Sequence, residues 1–157
     1  MIRRLKDEEQ RVVLRAHGPL KKAREWVEEA EKTLRDSFAK AVENEVLEAS
    51  FTPSGDSGVA AFQTTFGKGR AISVNAIIDD KAVVRYIFEK EATNESGDTF
   101  HTPVGEIHFD QNGLITAADG TKLANLNSLD GRESYKAIAE IGLALIHACA
   151  VDRHYLS

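Results

Sequence analysis

Arg70-Ala71-Ile72-Ser73-Val74-Asn75-Ala76-Ile77-Ile78-Asp79-Asp80-Lys81-Ala82-Val83-Val84-Arg85-Tyr86-Ile87-Phe88 carries the clearest periodicity in the chain. Ile72, Val74, Ala76 and Ile78 alternate with Ser73, Asn75 and Asp79. A period of two is that of a strand, because successive side chains leave opposite faces of the backbone. Asp79-Asp80 turns the chain, since short carboxylates tolerate turn backbone and bond to nearby amides. Beyond the turn, Ala82, Val84, Tyr86 and Phe88 share one face of a strand over residues 81–90. Two antiparallel strands are the result, and the pattern extends on both sides.

Upstream, residues 59–66 form a strand that Gly67-Lys68-Gly69 joins to 70–78 as a hairpin signal. Downstream, residues 91–102 are polar and read as loop. Val104–Gln111 and Leu114–Ala117 then flank Asn112-Gly113, a strong two-residue hairpin signal. That turn puts Ile107, Phe109 and Leu114 on one face and Glu106, His108 and Asp110 on the other. The sum is an antiparallel meander of about five strands.

Helices bracket the meander. Residues 2–16 hold a loose amphipathic pattern, although Arg11–Ala16 could also pair as an edge strand. Gly18-Pro19 breaks the chain, and Pro19 suits the first turn of a new helix, where a missing N–H costs nothing. From there Ala23, Trp26, Val27, Ala30, Leu34, Phe38, Ala41, Val42, Val46 and Ala49 recur at three-and-four spacing. A helix from Pro19 to Ala49 spans roughly 45 Å at 1.5 Å per residue. Phe51 to Gly58 is loop by composition, and 118–129 is a second loop. Asp130 is an N-cap with Glu133 three residues on, opening a helix through Tyr135, Ile138, Ile141, Leu145, Ile146 and Cys149. The expectation is a single α+β domain over 1–157. Its parts are a long N-terminal helix broken at Gly18-Pro19, the meander, and a buried C-terminal helix on one sheet face, with 1–17 as a separate arm or a short helix.

The chain has 157 residues with 20 Lys plus Arg and 25 Asp plus Glu, a net charge of −5. Its length suits one core, since a chain near 150 residues buries roughly 70% of its unfolded surface. An acidic balance argues against a nucleic-acid partner, which requires a basic face. Cys149 is the single cysteine, so a disulfide framework is excluded and a cytoplasmic location is expected. Residues Asp7, Glu8 and Glu9 stand where a signal peptide would need an apolar stretch. The longest nearly apolar run, Ala137 to Val151, falls short of the roughly 20 residues of a membrane span.

No side chain is assigned a catalytic role outright, and no cofactor or metal is expected. The candidates for acid–base chemistry are Glu106, His108 and Asp110, spaced two apart on one strand face, with His101 able to add a nitrogen ligand. Alternation on the wet face of an antiparallel sheet produces the same pattern. Glu133, Glu140, His147 and His154 recur every seven residues and line a narrow seam on the last helix. Glu140 and His147, with His101, are the candidate ligand-binding groups, and His147 is also a candidate acid or base. Gly55-Asp56-Ser57-Gly58 matches a serine-protease nucleophile string, but the chain is too short for that fold and lacks a suitably placed His. Gly67-Lys68-Gly69-Arg70 lacks the spacing of a phosphate loop and reads as a turn with two solvated cations. Cys149 on an apolar helix face reads as an inert small hydrophobe.

Two helices carry more apolar surface than a five-stranded sheet can cover. The functional expectation is therefore a non-enzymatic interaction module acting as a homodimer, such as an inhibitor, an immunity-type protein or a chaperone-like adaptor. Trp26, Leu34, Phe38, Ile141 and Leu145 are its expected interface. The alternative is an α+β cup for a small ligand, or a small enzyme, using Glu106/His108/Asp110 or Glu140/His147.

Overall fold

The alternation around Asp79-Asp80 builds a long hairpin in the sheet, with both aspartates at positive φ (50° and 61°). In the computed structural model, which describes residues 2–128 and 130–151, α1 (Asp7–Leu14) and α2 (His17–Glu43) come first. Seven strands follow: β1 (Ala49–Thr52), β2 (Val59–Thr64), β3 (Gly67–Ile78), β4 (Lys81–Thr93), β5 (Thr99–Phe109), β6 (Leu114–Ala117) and β7 (Lys122–Asn125). A single 3-10 turn (Gly55–Ser57) precedes β2, and α3 (Gly131–Ala150) closes the described chain. Every strand pairs antiparallel with its neighbour in sequence, in the order β1 to β7. Both long helices pack on one face, so the α+β architecture with a C-terminal helix on the sheet is as expected. No helix among the described residues is long and apolar enough to cross a membrane.

Seven strands replace the expected five. β1 and β7 have four residues each, too few to show a period. The polar stretch 91–102 is mostly strand, because β4 and β5 run on as a hairpin whose end, from Thr93↔Thr99, is exposed on both sides. The helix break also moves. It falls at Arg15-Ala16, and Pro19 sits inside the first turn of α2. That helix ends at Glu43 rather than Ala49, because Glu45 turns left-handed (φ 59°) and the Val46 N–H closes back on the Ala41 carbonyl at 2.9 Å. At the other end of the chain, the Asp130 cap forms as expected, its Oδ1 accepting the Glu133 N–H at 2.8 Å.

Two registers differ from the sequence pattern. Thr64 pairs with Gly67, so Thr65-Phe66 is the turn and Gly69 lies within β3. In β6 it is Ile115, not Leu114, that joins Ile107 and Phe109 on the helix side. In β3 the helix-facing residues are Ala71, Ser73 and Asn75, opposite Phe88, Tyr86 and Val84. Ile72, Val74, Ala76 and Ile78 therefore point away from the helices. α2 lies over β1, β4 and β5 rather than over β3, which it meets through Arg24, whose Nε and Nη2 donate to Asn75 Oδ1 at 3.2 and 3.0 Å, and β4 supplies the large side chains of the inner face.

Tyr86 meets Phe88 and Phe109 edge-on at 5.2 and 5.9 Å, as Phe38 meets Phe51 at 6.1 Å. Gly142 lets α3 approach α2, since a Cβ there would lie 2.7 Å from the Phe38 ring. Leu34, Phe38 and Leu145 are 2–4% exposed beneath their own chain. These three are covered by their own chain, under the sheet and the α2–α3 contact.

Candidate functional site

The outer sheet face is laid out in cross-strand rows, because paired residues share a face. One row is Val59, Ile72, Ile87 and Glu106. The next is Val74, Arg85, His108, Thr116 and Lys122, spanning β3 to β7. The Arg70–Glu89 pair, with Nε and Oε1 at 2.7 Å, lies on the other side of the first row.

Arg85 grips Glu106 with two parallel bonds, Nε to Oε2 at 3.1 Å and Nη2 to Oε1 at 2.7 Å. This fork holds the Glu106 carboxyl down at about 2, against the opposing effect of partial burial and with help from the His108 contact. The same pairing raises the Arg85 guanidinium above its usual value. Glu106 Oε2 in turn meets His108 Nε2 at 2.5 Å. An ionised carboxylate only accepts, so His108 Nε2 is the donor of this bond. Nδ1 has no partner among the described residues, and no buried side-chain nitrogen or oxygen lacks one, so Nδ1 is open to solvent. His108 is nonetheless only 9% exposed. It lines a cavity of about 350 Å³ on this face, together with Lys81, Lys122, Thr116 and Leu114. Asp110 lines the same cavity, but its Oδ1 accepts the Asn112 and Leu114 amides at 2.8 and 3.0 Å. Of the expected trio, Glu106 and His108 are in contact and Asp110 serves the turn.

The other candidates are dispersed. His101 pairs with Glu91 on the outer face of the β4–β5 hairpin. Glu140 is on α3, on the opposite side of the sheet, at an apolar groove of about 330 Å³ between that helix and Val104, Ile107 and Leu123. His147 is exposed, and the proposed seam partner His154 lies outside the described residues. Trp26 donates Nε1–H to the Gln111 carbonyl at 3.1 Å and packs on Gly113, so it anchors the β5–β6 turn. The Ser57 hydroxyl is tied to the Ser54 and Val59 backbones. Among the described residues no group of three or more His, Cys, Asp or Glu is arranged to hold a metal ion.

Two polar groups escaped the sequence reading. Arg85, the clamp on Glu106, sits at an outward position of a strand whose register on β5 was unknown. Spacing pairs Glu31 with Arg35 at i,i+4 on the outer surface of the helix, yet Glu31 is 1% exposed and accepts from Tyr86 and Ser54. Its only sequence signal is its place next to Ala30 and one turn before Leu34, inside the apolar stripe.

Comparison with known protein families, with curated proteins and with solved structures gives no match.

Proposed function

We propose that this protein is a non-enzymatic interaction module that works as a homodimer, joined through the outer face of its own sheet. The observation that carries this reading is the direction of β3. Its apolar row, with Val59 and Ile87, lies on the face away from the helices, where an antiparallel sheet facing water is normally polar. Val59 and Val74 are 43% and 36% exposed. The Arg70–Glu89 and Arg85–Glu106 pairs flank the apolar centre, giving the charged rim and apolar middle of a protein interface. A second copy is the occupant the charges favour. A two-fold axis along the Val59–Ile72–Ile87 row sets the Arg70–Glu89 pair of one copy against the Arg85–Glu106 pair of the other, as an isologous contact requires.

Light scattering across a concentration series tests the reading. Wild type is expected to show twice the chain mass, and V59K/V74K the single mass with an unchanged circular dichroism spectrum. A wild type that stays at single mass at the highest concentration overturns it.

A further inference from the structure

We infer that the groove between α3 and β5 is a binding site for a small primary amine with an apolar tail. The inference is independent of the dimer reading, because this groove lies on the helix side of the sheet, away from the outer face.

The groove arises where two lengths fail to match. β5 runs from Thr99 to Phe109, but β6 pairs with it only at Ile107, His108 and Phe109. Beside Val104 and Gly105, no strand among the described residues adjoins β5 on that side. Gly105 adds no side chain there, and α3 faces it with Ala137, Ala144 and Ala148. A space of about 330 Å³ remains above Phe88 and Ile107. That volume is at the lower end for small-molecule pockets. Water against such walls finds few polar partners, so a hydrocarbon tail that replaces it gains free energy.

Charge decides what the tail carries. Glu140 is the one lining residue that brings a charged side chain to the groove. Glu106 also lines it, but its carboxylate is on the other sheet face with Arg85 and His108. Glu140 is in no ion pair among the described residues. Lys136 stands one turn before it on α3, the weaker order for a helical Lys–Glu pair. Lys90, at the far end of α3, is engaged with the Cys149 carbonyl at 2.8 Å, and Lys122 belongs to the outer row. An anion in the groove therefore meets a carboxylate and no cation, and a neutral ligand leaves that carboxylate unused. An ammonium group pairs with Glu140 while its tail fills the space between Gly105 and the alanines.

The test follows the Ile141 and Leu123 methyl signals by NMR while hexylamine, 1-hexanol or hexanoate is added to the intact protein. Hexylamine is expected to move them saturably, and hexanol to bind about fivefold more weakly, the value of one exposed ion pair. Hexanoate is expected to bind more weakly than hexanol. Glu140→Gln, at an exposed position, should abolish the preference for the amine and leave hexanol binding unchanged. Ala144→Leu fills the groove from an exposed helix position that favours leucine, and should lose both ligands with an unchanged circular dichroism spectrum. Equal affinity for hexylamine and hexanol, tighter binding of hexanoate, no saturation, a preference for the amine that survives Glu140→Gln, or wild-type binding by Ala144→Leu each overturn the proposal.

Discussion

Tyr86 donates its hydroxyl to the Glu31 carboxylate at 2.6 Å, joining the middle of the sheet to α2 inside the core. Ser54 adds its hydroxyl at 2.7 Å and its N–H at 3.3 Å, so the loop before β2 is drawn to the same carboxylate. Burial, then the charge of Glu31, pushes the Tyr86 phenol well above its ordinary value. The phenol is a donor throughout the working pH range. Tyr86→Phe removes one donor and leaves the buried acceptor short, at a cost of about 1–3 kcal/mol. Urea unfolding measures it. A double-mutant cycle with Ser54→Ala is expected to show coupling of at least about 0.5 kcal/mol, because both donors serve one carboxylate.

The Arg85–Glu106 fork makes stability sensitive to acid in a defined window. The folded carboxyl titrates at about 2 and the unfolded one near the usual glutamate value of roughly 4.3. A depressed pKa stabilises the fold above the unfolded value and is lost as pH falls through the folded one. Wild type should therefore exceed Glu106→Gln in stability at pH 7 by about 1 kcal/mol. That is modest because 38% of the Arg85 side chain is in solvent. The gap should close between pH 4.5 and 2, read as midpoints of urea denaturation at each pH. A gap that persists at pH 2 would show that the ion pair is not its source.

Gly69 is fixed by close approach. A Cβ there would lie 2.0 Å from the Glu89 carbonyl oxygen and 2.5 Å from the end of the Phe62 ring. Gly69→Ala must push strand from strand, so a loss of about 3 kcal/mol or more is expected. Gly18→Ala is the contrast. Nothing lies within 4 Å of a Cβ in that first helical turn, and the gain in helix propensity is up to about 1 kcal/mol. Thermal melts of the two variants should shift in opposite directions.

Cys149 is 1% exposed in the core, with burial raising its thiol and Lys90 opposing that rise. Its carbonyl accepts Lys90 Nζ at 2.8 Å, which holds the end of α3 to β4. A thiol reagent is expected to modify the native protein slowly, at the rate of opening, and at once in denaturant. Fast modification without denaturant would mean that the end of α3 opens freely.

Local patterns were sufficient for the order of elements. The period of two through residues 70–88, the apolar stripe from Ala23 to Phe38 and the Asp130 cap each act within a few residues, so helix, meander and helix can be read directly. β1 and β7 left no trace, since four residues do not make a period. The touching of Glu106 and His108 also follows from spacing, because the two lie two apart on one strand. Which way β3 faces does not follow. Ile72, Val74, Ala76 and Ile78 look like a core row, yet the register Ala71↔Phe88 gives the inside to Ala71, Ser73 and Asn75. Arg85 reaches Glu106 and Thr116 stands beside His108 through the exact registers of β4 on β5 and of β5 on β6. Glu31 is buried only because Tyr86 and Ser54 arrive from elsewhere to satisfy it. Local backbone preference and side-chain period are short-range properties of the chain, whereas partners, exposure and charge state are set by which surfaces the packed strands and helices bring together.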